Sequence, residues 1–441
     1  MGNKSKAKRE DQDSGPQAKR AKHEKPSAVD FMYKGKAGGR DWTLSVALPA
    51  SIVANAQSHE LRSYLVAQIA RALTIYGVDE VVLYEDQEEL VQQGPGGDDS
   101  SWNSGGAWND NSWGNDKSWG NDTKKDKETN SSTSSTSSTT SKQAEEQAFS
   151  WAMNFFALNL QYLETPQYLR KILFPMHSDL KFAGVQNPLD APHHLRKGEN
   201  IQFREGVILV EKHHPYTKPK KDGVFVCCGL DEPVWIEDGC GAEEGVRVTV
   251  RLNQEDFRYG ELVSPSVPRE ELGIYWGYHT RTCRSLQEVF TQKPFWCEQD
   301  EEQPVSNKGA ALISKRRQKM NFSFHPFENY DLVLGTSERG RDMGTEFSTK
   351  KKLQFKHCLV LFGSLGGLEA VMKDPIFVKR EQESQLAGKK EEDNKWSVSK
   401  NPRQICHHYL NTCPHQTSRT IRAEEALLIT LSSLDRFLEK A

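Results

Sequence analysis

Near the start of the chain, the pattern of apolar and polar positions predicts a strand, a helix and a second strand. Residues 43–49 and 80–85 are short apolar runs typical of buried strands. The segment between them places apolar residues on one helix face, at Leu61, Leu65, Ile69 and Leu73. Ser58 is suited to cap this helix and Gly77 to end it. A strand, a helix and a strand with short connections predict a parallel unit of an α/β sheet.

This pattern stops between residues 94 and 142. The segment contains no Val, Ile, Leu, Phe, Met or Tyr, and it consists of Trp-Asn and Trp-Gly repeats followed by a Ser/Thr tract. Because such a composition cannot form a hydrophobic core, we predict a disordered insert. Repeats of this kind can also serve as docking peptides, which is the alternative interpretation.

Helical periodicity returns after the insert. Apolar spacing from residue 143 predicts a long helix, and residues 165–175 predict a shorter one. A proline-containing loop follows, with Asp190, His193, His194 and Arg196. The paired histidines lack the further ligands of a usual metal site, so loop structure or RNA contact is the better interpretation.

Residues 203–278 have a different pattern, because short apolar segments recur about every ten residues between Gly, Pro and Asp clusters. Six such segments, the last at residues 275–279, predict a small all-β barrel inserted into the α/β chain. An OB-like barrel suits this number of strands and would bind nucleic acid, although a purely architectural insert is the alternative. Residues 203–265 hold 8 basic and 12 acidic residues, so RNA contact is expected at the basic loop with Lys218, Lys220 and Lys221.

Three loops in the last third of the chain are candidates for a ligand site. In residues 331–340 and 357–370, a buried strand runs into a turn rich in glycine and small polar residues. Residues 410–434 are a polar loop that leads into a helix, which we expect Thr420 to cap. Each loop lies at the carboxyl end of a predicted parallel strand, where open α/β sheets bind their ligands. The sequence contains no dinucleotide-binding or P-loop motif.

Composition and charge limit the size of the core and the location of the protein. The chain has 441 residues and a mean hydropathy of −0.72, so we expect roughly 300 ordered residues with solvated tails and inserts. The net charge is −3, but the first forty residues carry 11 Lys and Arg against 5 Asp and Glu, and their two basic clusters predict import into the nucleus. Eight irregularly spaced cysteines and the lack of a long apolar segment predict a reduced intracellular compartment and no membrane segment.

Motifs across most of residues 42–438 resemble one known family. GTSERG (335–340), LVLFGSLGGLEA (359–370) and NTCPHQTSRTIRAEEALLITL (411–431) resemble the three ligand loops of the SPOUT superfamily of RNA methyltransferases. SVALP, NPLDAPHH, RVTVRLN and YWGY resemble the branch of that family that carries an inserted β-barrel. The resemblance implies an α/β fold with a parallel sheet knotted as a trefoil, S-adenosylmethionine as cofactor, and usually a homodimer. It also implies methylation of N3 of a uridine in large-subunit ribosomal RNA, and partners at the spindle, centrosome or kinetochore.

The same resemblance implies roles for individual residues. Arg339, Arg419 and Glu369 are the expected catalytic residues, because methylation of a ring N–H requires removal of its proton and stabilisation of developing charge. The expected cofactor-binding residues are Thr336, Ser337, Glu338, Gly340, Gly363, Leu365, Gly366, Gly367, Asn411, Thr412, Cys413, Pro414, Gln416, Ser418, Thr420 and Ile421. Arg196, Arg422 and the three lysines of the basic loop are expected to bind RNA, and no metal is expected.

Three residues depart from the family's pattern. Ser364, His415 and Thr417 stand where the family has glycines, and they would strain the cofactor loops if these positions require positive φ. Weakened turnover would follow. The alternative function is therefore a non-catalytic RNA-binding protein or a scaffold of the spindle, centrosome or kinetochore.

A group of metal-capable residues suggests different chemistry in the same region. Cys406, His407, His408, Cys413 and His415 lie within ten residues of one another. In a strand, however, alternate side chains face opposite sides and do not converge on one ion. We therefore expect no zinc site there, and Cys413 has no evident orienting base that would make it a catalytic thiol.

These patterns define the expected domain limits. Residues 1–40 are a basic tail, 94–142 are the low-complexity insert, and 203–272 are the barrel. The methyltransferase domain is formed by residues 41–93, 143–202 and 273–441. Within its last part, charged and mobile inserts are expected at about residues 299–324 and 373–404.

Overall fold

The computed structural model describes residues 39–86, 149–199, 201–209, 223–237, 243–296, 329–347, 352–364, 366–372 and 402–438. Several predictions lie outside these residues: most of the basic tail, the Trp-rich insert, the insert at 299–324 and most of that at 373–404. The same holds for Lys218, Lys220, Lys221 and Leu365.

The described residues form strands and helices in the order expected for an α/β chain with an inserted barrel. The strands are β1 Thr43–Pro49, β2 Glu80–Tyr84, β3 Phe203–Ile208, β4 Gly223–Cys227, β5 Val234–Glu237, β6 Arg247–Leu252, β7 Tyr259–Val263, β8 His279–Cys283, β9 Leu332–Asp342, β10 His357–Leu361 and β11 His408–Asn411. The α-helices are α1 His59–Ile75, α2 Trp151–Glu164, α3 Gln167–Leu173, α4 Val267–Leu272, α5 Leu286–Thr291, α6 Met343–Glu346, α7 Leu368–Val371 and α8 Ala423–Leu434. Short 3-10 helices span Ala50–Asn55, Ser178–Leu180, Ala183–Val185 and Pro402–Gln404. None of the described helices has the length and apolar character needed to cross a membrane.

A six-stranded sheet with the order β11-β9-β10-β1-β2-β8 forms the main body. All five pairings within it are parallel. Alternate residues of its central strand belong to different apolar clusters, since Val46 and Leu48 pack with α1 and α2 while Ala47 packs with α5 and α7. A sheet covered by helices on both faces is the α/β arrangement that the sequence predicts.

The first predicted strand, helix and strand are confirmed. Ser58 caps α1, because its hydroxyl oxygen accepts a hydrogen bond of 3.2 Å from the N–H of Leu61. The helix ends at Ile75, and Gly77 with φ of +64° turns the chain towards β2. Strands β1 and β2 then pair in parallel, as a strand-helix-strand unit requires.

The insert is a closed five-stranded barrel with the order β3-β4-β5-β7-β6. Strands β5 and β7 are parallel, and the other pairings are antiparallel. Its interior is filled by apolar side chains, among them Val226, Val234, Ile236 and Val250. The predicted OB-like barrel is therefore confirmed as a five-stranded barrel.

The sixth strand predicted for the barrel, at residues 275–279, is wrong. Gly277 has φ of +90°, which is incompatible with a regular strand, and Trp276 and Tyr278 on either side are buried by side-chain packing. The next residues form β8, which pairs with β2 at the edge of the main sheet and not with the barrel. Residues 275–278 thus connect the two parts of the fold.

A buried ionic cluster joins the barrel to the main body. Arg247 of β6 donates hydrogen bonds to Glu164, at the end of α2, at 2.5 and 3.0 Å, and to Glu205 of β3 at 2.6 Å. The Nε1–H of Trp276 also donates to Glu205, at 2.5 Å. Burial alone would raise the pKa of Glu164, but the charge of Arg247 and a hydrogen bond from His193 hold this pKa well below its usual range.

The paired histidines belong to this cluster. His193 is fully buried, and its Nε2 lies 3.0 Å from the Glu164 carboxylate, while Nε2 of His194 lies 2.6 Å from the Glu164 carbonyl oxygen. Burial, together with the neighbouring His193, lowers the pKa of His194 to about 3. Gly277 allows this arrangement, because a Cβ there would lie 2.2 Å from the Glu164 carboxylate. The sequence left two interpretations of these histidines open, a structural role in the loop or contact with RNA. The structure favours the structural role for both.

Candidate functional site

The carboxyl ends of β9, β10 and β11 lie side by side at one edge of the main sheet, because these strands are neighbours in it. The three glycine-rich and polar loops follow or interrupt these strands. The prediction that these three loops lie at the carboxyl ends of parallel strands is therefore confirmed, and the strands are adjacent.

The first loop is an excursion within β9, where the sequence predicts a simple turn after a strand. Tyr409 and Leu410 are consecutive in β11, but their partners in β9 are Gly335 and Arg341, so residues 336–340 leave the ladder. A Cβ on Gly340 would lie 2.2 Å from the carbonyl carbon of Leu410, which is backbone that cannot move aside. Only glycine therefore allows the chain to rejoin β11 here.

Hydrogen bonds tie this excursion to the two neighbouring strands. The hydroxyl of Thr336 donates to the carbonyl of Leu361, at the end of β10, at 2.9 Å. The side-chain amide of Asn411, at the end of β11, donates to the carbonyl of Glu338 at 3.0 Å. Ser337 stabilises the excursion internally, since its oxygen accepts from the N–H of Arg339 at 3.1 Å. The predicted residues of the first loop are thus held in one rigid frame.

The second loop is a tight turn between β10 and α7. The N–H of Gly367 donates to the carbonyl of Ser364 at 2.8 Å, and Gly367 has φ of +80°. A Cβ on Gly363 would lie 2.3 Å from the backbone nitrogen of Leu368, and one on Gly366 would lie 2.5 Å from Cβ of Ala370. The turn is therefore packed closely on its own backbone, and the glycines predicted to bind the cofactor are the residues that allow this close packing.

The third loop runs from Asn411 to Arg422 and is folded by its own polar groups. The Asn411 side chain accepts from the N–H of Cys413 at 3.0 Å, and the hydroxyl of Ser418 donates to the carbonyl of Thr420 at 2.8 Å. The side-chain amide of Gln416 donates to the carbonyl of Ser418 at 3.2 Å. Pro414 is exposed and Ile421 is half-buried, and neither is part of these bonds.

The expected helix cap in this loop is wrong. Helix α8 begins at Ala423, and its N-cap is Arg422, whose N–H donates to the carboxylate of Glu425 at 3.0 Å. Thr420 lies two residues before the cap, and its carbonyl is already the acceptor for Ser418. Glu424 and Glu425 occupy the first turn of α8, where their negative charges interact favourably with the positive end of the helix dipole.

The three residues for which the resemblance implies strain do not strain the loops. Among the described residues, Asp190 is the non-glycine residue with positive φ, so Ser364, His415 and Thr417 have ordinary backbone conformations. His415 and Thr417 are exposed and Ser364 is half-buried. Backbone strain at these positions therefore gives no reason to expect lost turnover.

A side chain that the sequence analysis missed lies between the first two loops. Tyr409 packs against Gly335, where a Cβ would lie 2.9 Å from the tyrosine ring, and the guanidinium of Arg403 lies 6.0 Å from the ring centroid. Burial raises the pKa of Tyr409 well above its ordinary value, a contact with Ser337 lowers it, and the carboxylate of Glu369 raises it. Strand alternation could have revealed Tyr409, because Leu410 beside it faces the opposite apolar cluster.

Glu369 and Tyr409 present unused hydrogen-bonding capacity at this point. Oε2 of Glu369 and the hydroxyl of Tyr409 are both buried, and neither completes a hydrogen bond of normal geometry with the described residues. The other carboxylate oxygen of Glu369 lies 3.9 Å from the guanidinium of Arg339, a side chain that is 62% exposed. A buried carboxylate oxygen, a tyrosine hydroxyl and an exposed cation therefore lie together beside the glycine turn, and such groups fit a polar ligand.

The metal-capable residues of this region are used separately. Nδ1 of His407 accepts from the N–H of Val333 at 2.8 Å, and burial lowers the pKa of His407 to about 4. His408 instead lies 3.0 Å from the carboxylate of Glu346. Cys406 is buried against Gly335, and burial raises the pKa of its thiol well above the ordinary value. No cluster of three or more potential metal ligands occurs among the described residues.

Three further predicted arginines, Arg419 for catalysis and Arg196 and Arg422 for RNA binding, lie in two places. Arg419 and Arg422 are exposed on the third loop, and the side chain of Arg419 contacts no charged partner among the described residues. Arg196 is also exposed but lies beside the barrel, where its carbonyl accepts from Arg204 of β3 at 2.6 Å. The structure thus groups two of the predicted arginines with the cofactor loops and one with the barrel.

Comparison with known proteins links this arrangement to one family. Residues 43–434 match the model of a family described as "Putative RNA methyltransferase". The chain is 36% identical over 431 residues to the 28S rRNA (uridine-N(3))-methyltransferase of Homo sapiens, which covers 96% of this chain and 85% of that protein. The proteins of the same name from Mus musculus and Drosophila melanogaster are 36% and 33% identical, each over 90% of this chain and over 77% and 62% of their own lengths.

Proposed function

This chain belongs to the RNA methyltransferase family whose model spans residues 43–434, and on that premise we propose that it methylates N3 of a uridine in large-subunit ribosomal RNA. The single observation that carries the substrate is the likeness to relatives named for this reaction, which extends over most of the chain. The adjacent loops at the ends of β9, β10 and β11 support it, because they provide one site on a rigid sheet.

S-Adenosylmethionine is the proposed methyl donor, and the three loops are its proposed binding site. When bound, it supplies an electrophilic methyl group. Gly340, Gly363 and Gly367 let the loops pack closely on neighbouring parts of the chain. The backbone groups of the first and third loops would hold the ring and the polar tail of the cofactor. Of the residues predicted for this role, Leu365 lies outside the described residues, and the others lie on or beside the three loops.

Glu369 is the proposed base. N3 of uracil carries a proton that must leave as the new bond to carbon forms, and a carboxylate with an unused buried oxygen can accept it. Arg339 lies 3.9 Å from the other oxygen and would stabilise the negative charge that develops on the base carbonyl groups. Arg419 and Arg422, exposed on the third loop, would bind RNA phosphates.

Assembly and location follow from the same proposal. We propose a homodimer, supported by exposed apolar side chains on two helices that contact each other, Leu61 of α1 and Leu428 of α8. The basic clusters of residues 1–40 support a location in the nucleus. Partners at the spindle or kinetochore remain a proposal that rests on the family resemblance.

Nucleoside mass spectrometry of ribosomal RNA tests the proposed reaction. Cells that lack the protein should lose 3-methyluridine from the large-subunit RNA, and the wild-type chain should restore it. Calorimetric titration of the purified chain with S-adenosylmethionine tests the cofactor separately. An unchanged 3-methyluridine level would contradict the proposed substrate. Absence of S-adenosylmethionine binding would contradict the proposed cofactor site.

A further inference from the structure

The outer surface of the barrel holds a pocket that methyl transfer does not use. Its volume is about 440 Å³, and it is lined by residues of β5, β6 and β7 and by the start of the loop after β6. The side chains that define its chemistry are Trp235, Glu237, Arg251, Asn253, Tyr259 and Glu261. Pockets of this size are typical of sites that hold small organic groups.

Strand pairing brings these side chains together. Trp235 of β5 is directly opposite Tyr259 of β7, and Arg251 of β6 is opposite Glu261 of β7. Their neighbours Val234 and Val250 pack inside the barrel, so these four side chains face outwards. The pocket therefore combines two aromatic rings with an arginine-carboxylate pair.

The two aromatic rings differ in how firmly they are held. Trp235 is 3% exposed and packs edge-on against Phe225, at 4.8 Å between ring centroids. It also covers Gly223, where a Cβ would lie 2.6 Å from the indole. Tyr259, by contrast, is 42% exposed and is not part of the barrel core. It offers a flat apolar surface on a rigid strand, which is suitable for stacking.

Two N–H groups of the lining residues are buried without an acceptor. Nε1 of Trp235 and Nε of Arg251 make no hydrogen bond with any described residue. The two terminal nitrogens of Arg251 are used, because one donates to Glu261 at 2.8 Å and the other donates to Glu271. These two bonds fix the guanidinium of Arg251, while its Nε–H has no acceptor among the described residues.

We propose that this pocket holds an unpaired nucleobase of the RNA substrate. The inference rests on the proposed RNA methyltransferase function, but the residues that carry it lie outside the cofactor loops. Glu237 and Glu261, which line the pocket, disfavour a phosphate group, whereas a base offers a flat face for Tyr259 and N–H donors for these carboxylates.

The barrel is attached so that such a contact would orient the RNA. Arg247 bonds both Glu205 within the barrel and Glu164 of the main body, and Trp276 bonds Glu205 from the connecting segment. A base held on the barrel would therefore lie at a fixed distance from the methyl-transfer site. This second contact would select RNA in which an unpaired base lies at that distance from the target uridine.

Binding of single-stranded RNA tests the pocket directly. Full-length protein is titrated into a fluorescein-labelled RNA oligonucleotide of mixed sequence at fixed salt, and anisotropy gives the affinity. Tyr259→Ala should weaken binding by roughly 5- to 100-fold, the loss expected for one stacked base, whereas Tyr259→Phe should stay close to wild type. Arg258→Ala is the control, since Arg258 is exposed, bonds Asp256 and lies next to the pocket without lining it. Binding of S-adenosylmethionine should be the same in all three variants.

The possible results separate this proposal from the proposed function. Equal RNA affinity of Tyr259→Ala and wild type would overturn the base pocket and leave methylation untouched. Loss of affinity for an arginine-rich peptide in Tyr259→Ala, with RNA affinity unchanged, would assign the pocket to a basic protein partner and also overturn the proposal. Loss of 3-methyluridine from cells lacking the protein, combined with equal RNA affinity of the variants, would support the enzyme and reject the pocket.

Discussion

The guanidinium of Arg339 lies 3.9 Å from the carboxylate of Glu369, across the gap between the β9 excursion and the first turn of α7. The two residues come from different loops, and both loops are fixed by bonds to backbone. Arg339 is largely exposed, so this ion pair contributes little to stability. What the pair does is bring the two residues proposed for catalysis close together.

Removal of the proposed base should stop turnover without unfolding the protein. Glu369→Gln keeps the shape of the side chain but cannot accept a proton, so we expect kcat to fall by about 100- to 10,000-fold. The affinity for S-adenosylmethionine should change little. A single-turnover assay with radiolabelled methyl donor measures the effect, and Glu255→Gln, exposed on the barrel, is the matched control. Normal turnover in Glu369→Gln would assign proton removal to another group.

The hydroxyl of Tyr409 should help to position the carboxylate of Glu369. Tyr409→Phe keeps the ring that packs on Gly335 and removes only the hydroxyl beside Ser337 and Glu369. We expect kcat to fall by about fivefold, since one hydrogen bond contributes about 1 kcal/mol, while the affinity for S-adenosylmethionine should change little. A single-turnover assay of the variant beside wild type measures the effect. Equal kcat values would show that the hydroxyl has no role.

The close approach of β9 to β11 should not tolerate a side chain. Gly340→Ala would place Cβ 2.2 Å from the backbone of Leu410, and we expect it to destabilise the fold by about 1–3 kcal/mol and to abolish cofactor binding. Urea unfolding and calorimetric titration measure the two effects. Gly198→Ala is the control, because nothing lies within 4 Å of a Cβ there. Full cofactor binding by Gly340→Ala would mean that the first loop can move away from β11.

The junction between barrel and main body should depend on one arginine. Arg247→Ala would leave two buried carboxylates, Glu164 and Glu205, without their cation, and the free energy of unfolding should fall by about 3–5 kcal/mol. The replacement Arg247→Met, which removes the charge but keeps the bulk of the side chain, separates charge from packing. Urea unfolding followed by tryptophan fluorescence measures both variants. A loss below about 1 kcal/mol would show that water or movement of the barrel compensates for the missing charge.

The same cluster should make the stability of the fold depend on pH in the acidic range. The folded pKa of Glu164 is held below the ordinary carboxyl value of 4.5, so its contribution to stability is present above pH 4.5 and is lost as the pH falls below that value. Wild type should therefore lose stability more steeply than Arg247→Met between about pH 5 and pH 2. Unfolding curves across this range check it, and parallel slopes would contradict it.

Local periodicity predicted those parts of the fold that local sequence controls. The unit of β1, α1 and β2, the barrel strands and the glycine turn after β10 all follow from short-range patterns. Strand β8 was not predicted, because its sequence is polar and lacks the apolar run of a buried strand. Its Arg281 donates hydrogen bonds to Glu80 of β2 at 2.9 Å and to the hydroxyl of Tyr330. Its place in the sheet depends on partners that are far away in sequence.

The sequence predicted some residues of the candidate site and missed others. The glycines and polar loops were recognised, since their composition is distinctive and resembles that of a known family. Tyr409 was not recognised, because a tyrosine in a short strand is usually a core residue, and only the folded chain shows that it reaches Glu369 and Ser337. The cap of α8 was misplaced because several residues before it are suitable caps, and the bond from Arg422 to Glu425 decides among them.

The strand order of the main sheet has a consequence for how the chain reaches its native state. Strand β1 is made first, yet it lies between β2 and β10, and the bond between Thr43 and His357 joins residues 314 positions apart. The edge of β1 that pairs with β10 therefore stays unpaired until most of the chain has left the ribosome. Such long-range pairing makes folding slow, and the waiting edge can pair with other chains. We expect the early β1-α1-β2 unit to need protection during synthesis, so that chaperone supply would limit the yield of this protein more than its final stability does.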